Sequence, residues 1–246
     1  MRIIGINNQN QNTFKSFERT VYKAGRCALE ENVLHKNNTW AFRSDINWLD
    51  LAKFAVEKYE GIEKIKTFFY ACSDGREPQS FLIALDAIFG EKAVEKFCPI
   101  IARDYDLFVI NKAKSNFYDF SEEEVYRINY ITGNRFNEYY EPVPKIDNRY
   151  KATKKLTDRI IYEVGDFTKE YEDLPKENVF LSVRNCWPYF SMNNQYNLPC
   201  KVCNHFDKNA TIVIGKFDLT TQESFDFLKN GFKFADNDLF TTVFAK

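Results

Sequence analysis

The sequence predicts an α/β fold built on a doubly wound sheet, and three observations carry that prediction. The stretch Lys66–Phe81, K-T-F-F-Y-A-C-S-D-G-R-E-P-Q-S-F, reads as an apolar strand that stops in a Ser-Asp-Gly turn. A helix follows, with Pro78 in its first turn and Phe81, Leu82, Leu85, Ile88 and Phe89 at helical spacing. Two further apolar runs, 98–102 and 179–183, also end in polar residues, Asp104 and Arg184-Asn185. In an open parallel sheet such ends converge on one ligand crevice at the switch in strand order. The single glycine after the first strand rules out a G-x-G-x-x-G dinucleotide turn and leaves room for a ligand with an amino-acid end and a nucleoside.

Length and composition set the bounds. The 246 residues suit one large domain with a satellite, and 44% hydrophobic residues with 17% aromatics supply a core. A formal net charge of -1 provides no global field toward nucleic acid or an acidic membrane. The N-terminus holds no signal-length apolar run and no segment is long enough to span a bilayer, so the expectation is a cytoplasmic protein without membrane insertion. The six cysteines are scattered, several within apolar runs, as reduced core cysteines are. Only Cys200 and Cys203, with His205, have ligand spacing, and no second pair completes four ligands, so no metal is expected.

In chain order, residues 13–33 carry Phe14, Phe17, Val21, Ala24 and Ala28 near helical spacing, an N-terminal helical cover within residues 1–36. The segment Asn37–Arg43 interleaves polar groups with aromatics, either as a ligand loop or as a loop that anchors itself. Ser44 is a candidate N-cap for a helix through about Tyr59 that ends at Gly61. Asp104 is placed to accept from ribose hydroxyls, whereas Asp106 is the better N-cap for a helix over 107–114. Ser121 and Glu124 form a capping box. Residues from about 134 to 164, with prolines at 142 and 144 and loose alternation, read as a small antiparallel insert. Its Lys151, Lys154, Lys155 and Arg159 form either a basic edge for a partner or a solvated, lysine-guarded strand edge. Strands at 179–183 and 211–215 and a pair around the turn 236–238 complete the sheet.

Four separated motifs in register resemble the S-adenosylmethionine-dependent CheR-type methyltransferases, which methylate glutamate side chains of bacterial chemoreceptors. N-x-T-x-x-x-R stands as Asn37, Thr39 and Arg43; G-E-E-P-Y-S as Gly75-Arg-Glu77-Pro78-Gln-Ser80; A-x-D-x-D as Ala102-Arg-Asp104-Tyr-Asp106; and C-R-N-V-L-I-Y-F as Val183-Arg184-Asn185-Cys-Trp-Pro-Tyr189-Phe190. The resemblance implies a methyltransferase sheet with an antiparallel last strand, and a β-subdomain around 145–162. It implies that Asn37, Thr39 and Arg43 hold the methionine end of the cofactor, that Glu77 supports that pocket, that Asp104 binds the ribose, that Arg184 and Asn185 complete the site, and that Tyr189 lies near the transferring methyl group. The family's N-L pair is Asp166-Phe167 here, its G-H-S-E is Gly215-Lys-Phe-Asp218, and Lys53 and Lys58 stand on the helix where the family carries an arginine. The expected function is methyl transfer to a carboxylate, with an acidic protein as the acceptor. The alternatives are a small-molecule acceptor, or a silent module that binds the cofactor or its demethylated product. A bulky Trp187 over the methyl position would favour the silent module, and an open channel the enzyme.

Overall fold

The computed structural model describes residues 39–215, 218, 231–234 and 242–246. The expected N-terminal helix, Asn37 and the turn at 236–238 lie outside the described residues. Helix α1 is Trp48–Lys58 and is capped by Asn47, whose side chain accepts from the Asp50 N–H, so the expected cap at Ser44 is three residues early. Ser44 sits in a turn, and an N-cap needs extended backbone with a side-chain oxygen facing the next N–H groups, which Asn47 provides.

Strand β1 (Lys66–Tyr70) runs into helix α2 (Arg76–Phe89), with Pro78 in the first turn. Helix α3 (Glu91–Phe97) leads to β2 (Ile100–Asp104), and α4 (Leu107–Ser115) follows under the Asp106 cap, which accepts from the Phe108 N–H at 2.8 Å. After β3 (Phe117–Asp119) comes α5 (Glu122–Thr132), opened by the predicted Ser121–Glu124 capping box. Short α6 (Phe136–Tyr139), β4 (Tyr140–Pro142), β5 (Arg149–Ala152) and α7 (Lys154–Thr157) lead to β6 (Ile160–Val164). The chain continues through α8 (Phe167–Glu170), β7 (Val179–Val183), α9 (Met192–His205), β8 (Ala210–Ile214), β9 (Lys233–Phe234) and β10 (Thr242–Ala245).

The main sheet has the order β6-β2-β1-β7-β8-β10-β9. β6, β2, β1, β7 and β8 are parallel, and β10 pairs antiparallel with both β8 and β9. The order reverses at β1, between β2 and β7, and that switch fixes the place of the crevice. A second sheet, β3-β5-β4, is antiparallel throughout. This corrects the expected insert at about 134–164. The insert begins at Phe117, and Ile160–Val164 belongs to the main sheet as its edge strand beside β2.

The centre of the core is aromatic. Phe81 of α2 stacks on Phe180 of β7 at 4.5 Å, and Phe69 and Phe97 close around the pair. Buried Gln79 ties the insert to the sheet: its Nε2 donates to the Tyr118 hydroxyl (2.8 Å) and the Tyr162 hydroxyl (3.2 Å), and its Oε1 accepts from Tyr140 (2.7 Å). Lys155 pairs with the buried Asp86 carboxylate and Arg159 with the exposed Glu91. Cys203 is buried on α9 while Cys200 is exposed, and His205 contacts the Leu174 carbonyl.

Gly75 caps α2 in a left-handed conformation (φ 90°), and a β-carbon there would lie 2.5 Å from the Tyr162 hydroxyl. Gly75→Ala therefore meets both backbone strain and a clash, with an expected loss of roughly 1–3 kcal/mol in denaturant unfolding. Wild-type stability in that variant would show that the turn relaxes freely.

Candidate functional site

The C-terminal ends of β1, β2 and β7 open into a crevice of about 510 Å³. That volume lies within the roughly 300–1,000 Å³ typical of small-ligand sites. Of the residues singled out in the sequence, Thr39, Arg43, Glu77, Asp104, Asp166, Phe167, Arg184, Asn185 and Tyr189 all line it.

One wall is an ionic cluster. The Arg184 side chain is 1% exposed and lies 3.0 Å from Glu77 and 3.1 Å from Asp45. Asp45 also pairs with Arg43 at 3.1 Å, and Glu77 accepts from the Ser182 hydroxyl at 3.0 Å. Burial acts to raise the Asp45 carboxyl, but Arg184 and Arg43 together hold it below its usual range. Asp45 was not singled out in the sequence; a carboxylate two residues past the motif arginine was the available signal.

Asp104, at the end of β2, accepts from the Ser73 N–H (2.8 Å) and the Asp106 N–H (3.0 Å), joining the β1 and β2 ends. Ser73 has positive φ (50°), and its buried hydroxyl has no hydrogen-bond partner among the described residues. Asp166 caps α8, accepting from the Thr168 N–H and hydroxyl, and its backbone N–H donates to Glu170 at 3.0 Å.

The loop after β7 is held from below by Asp218, which accepts from the N–H groups of Asn185, Gly215 (2.8 Å) and Trp187 (3.3 Å). Burial pushes the Asp218 carboxyl up to about 7, against the pull of those donors and of Arg184. Trp187 does not reach the crevice. It is 1% exposed, packs on Phe167 and Phe190, and donates to the Val183 carbonyl at 2.8 Å. Tyr189, Phe190, Ser191 and Asn194 line the crevice at that end instead.

This donor set fits a nucleoside that bears an amino-acid group. Asp104 offers a carboxylate at the switch point, the Arg184–Glu77–Arg43 wall offers both signs of charge, and Phe167 offers an apolar face. The buried Ser73 hydroxyl and the Arg184 Nε, both without hydrogen-bond partners among the described residues, are groups that a polar ligand would satisfy.

Fold and crevice together define a methyltransferase-type nucleoside site. The family model "CheR methyltransferase, SAM binding domain" matches residues 37–233, and the chain belongs to that family. It is an S-adenosylmethionine-dependent methyltransferase with a Rossmann-like sheet. Among curated proteins, none matches the chain by sequence. Solved structures it is similar to include magnesium protoporphyrin IX methyltransferase from Synechocystis PCC 6803 with bound SAM, at 8% identity and TM-score 0.40, covering 80% of this chain and 76% of that one. Another is precorrin-6y C5,15-methyltransferase from Geobacter metallireducens GS-15, at 10% identity and TM-score 0.42, covering 80% and 79%. A TehB-like SAM-dependent methyltransferase from Corynebacterium glutamicum aligns at 10% identity and TM-score 0.40, over 98% and 100%. Among the described residues no helix is long and apolar enough to cross a membrane.

Two measurements follow from this geometry. Asp104→Ala is expected to weaken S-adenosylhomocysteine binding by roughly 1–3 kcal/mol in calorimetry, the cost of losing a charged acceptor. Unchanged affinity with lowered stability would leave Asp104 only its role on the Ser73 and Asp106 N–H groups. For Asp218 the sign is set by a folded pKa of about 7 above an ordinary 3.8. Its stabilisation is present in full below about 4 and is lost as the pH rises through about 7. Asp218→Asn should flatten that part of the stability-against-pH curve, and an identical slope in both proteins would refute the assignment.

Proposed function

We propose that this methyltransferase transfers its methyl group to a carboxylate on an acidic protein. The observation that carries the reading is the crevice end at Tyr189, Phe190 and Ser191, where among the described residues Ser191 is exposed and Trp187 does not intrude. Trp187 is folded beneath it, and the wall at Tyr189, Ser191 and Asn194 presents neutral polar groups. When bound, the cofactor supplies a sulfonium methyl, an electrophile that needs no further activation.

The lining residues bear on the acceptor. Among the described residues they include no histidine, and burial pushes the Cys72 and Cys186 thiols well up, so neither supplies a thiolate base. The crevice carboxylates Glu77, Asp104, Asp106 and Asp166 are each engaged, with Arg184 and Ser182, with backbone N–H groups, or with Thr168 and Lys169. A hydroxyl or ammonium acceptor would need a base to remove its proton, whereas an ionised carboxylate needs only alignment and partial desolvation. Tyr189 lines the crevice beside Phe190 and Ser191, and we assign it the orienting of such an acceptor.

Helix α1 carries Lys53 and Lys58, which are occupied by Asp50 and by the Lys246 carbonyl. They leave little there to hold an acidic receptor helix, so the acceptor we propose is a protein other than a chemoreceptor. The test is incubation with methyl-labelled cofactor and three acceptor sets: acidic proteins, receptor cytoplasmic fragments and small carboxylic acids. Base-labile label on the acidic proteins is expected, and Tyr189→Phe should lower turnover about tenfold with cofactor affinity kept. Label on receptor glutamates would restore the ordinary family acceptor, label on small acids would replace the protein acceptor, and base-stable label would exclude a carboxylate.

A further inference from the structure

We infer that Arg103 is a positioning residue for the cofactor: it clamps the turn at 165–168 that receives the nucleoside base, without touching the ligand itself. Arg103 is the residue before Asp104 on β2, and strand alternation directs the two side chains to opposite faces of the sheet. Asp104 lines the crevice and Arg103 does not.

Three elements meet on its guanidinium. Nε donates to Glu163 of β6 at 2.9 Å, and Nη1 donates to the Tyr70 hydroxyl of β1 at 2.8 Å and to Glu170 of α8 at 3.2 Å. The Tyr70 hydroxyl donates in turn to the same Glu170 oxygen at 3.1 Å. The other Glu170 oxygen accepts from the Asp166 backbone N–H at 3.0 Å, which carries the clamp into the turn. Two walls of the crevice, the Tyr70 ring and the segment Gly165–Thr168, are therefore referenced to one cation outside it.

Packing supports the same assignment. A β-carbon on Gly165 would lie 2.6 Å from Glu170 Oε2 and 2.7 Å from Arg103 Cδ, so the turn presses directly on the clamp. With the methionine end at the Arg184–Glu77 wall and the ribose at Asp104, Phe167 on this turn offers an apolar face to the base, and it packs on Tyr70 at 5.1 Å. Loss of the clamp frees the N–H that orients this turn, and the cost falls on the base end of the ligand.

This inference rests on the placement of the ribose at Asp104, so wild-type binding of S-adenosylhomocysteine is measured first by calorimetry. Arg103→Met, which keeps much of the side-chain volume, is expected to weaken S-adenosylhomocysteine and adenosine by a similar factor of about tenfold. In turnover it should raise the KM for S-adenosylmethionine with kcat at saturation retained. Glu170→Ala should do the same, and the double variant should lose little more than either single one. Affinity within about twofold of wild type in a folded Arg103→Met or Glu170→Ala protein overturns the inference, as do additive losses in the double variant. If Arg103→Met fails to fold, Glu170→Ala alone decides, by the same criterion.

Discussion

A cation buried at the end of β7 is the constraint on which the site depends. Taking the Arg184 guanidinium out of water costs several kcal/mol unless carboxylates meet it with good geometry. Two do, and they come from separate parts of the chain: Asp45 from the turn before α1, and Glu77 from the first turn of α2. The Trp48 ring lies beneath the same guanidinium at 5.7 Å, adding a cation–π contact from α1. Removing either acid would strip one of the two carboxylates that compensate the buried guanidinium, so the loop at 43–45, the head of α2 and the end of β7 are held in a single arrangement. Arg43 inherits its position from this cluster through Asp45.

The neighbouring turn is shaped by backbone geometry rather than charge. After β1, Ala71, Ser73 and Gly75 all have positive φ, at 54°, 50° and 90°. Two of these bear side chains in a region that costs of order 1 kcal/mol each, so the surroundings must over-determine them. They do: Cys72 N–H donates to the Arg103 carbonyl at 3.1 Å, Gly75 N–H to the Cys72 carbonyl at 3.0 Å, and Ser73 N–H to Asp104 at 2.8 Å. Asn185, across the switch point, is left-handed as well (φ 59°) and is anchored by Asp218. Residues of positive φ thus stand on both sides of the switch in strand order.

What the sequence disclosed divides along physical lines. Strand ends, the Ser121 capping box and the Asp106 cap were legible because each depends on residues two or three apart. The insert was misplaced for a specific reason. β6 is the edge of a parallel sheet, with Ile161 exposed to 44%, so it alternates as a half-buried antiparallel strand does. Phe117–Asp119 is only three residues long and shows no period at all. Arg103 and the pairing of Asp45 with Arg184 went unnoticed because the partners are remote in the chain: Arg103 meets Glu163 and Glu170 at separations of 60 and 67 residues. Spacing arguments see neighbours within a turn or a strand, and long-range ion pairs leave no such trace.

The division of charge within the crevice explains how one site can be rigid toward its cofactor and undemanding toward its acceptor. At the cofactor end every carboxylate and both arginines are engaged in ion pairs or with backbone donors, so little reorganisation accompanies binding. At the other end, among the described residues, the hydroxyls of Tyr189 and Ser191 and the amide of Asn194 are the polar side chains. Chemistry of this kind gains its rate from alignment, and alignment draws on binding energy from parts of the acceptor remote from the reacting oxygen. On the proposed carboxylate reading, selectivity belongs to the surface around the Tyr189 end rather than to the crevice, and closely similar cofactor sites can serve different acceptors once that surface changes.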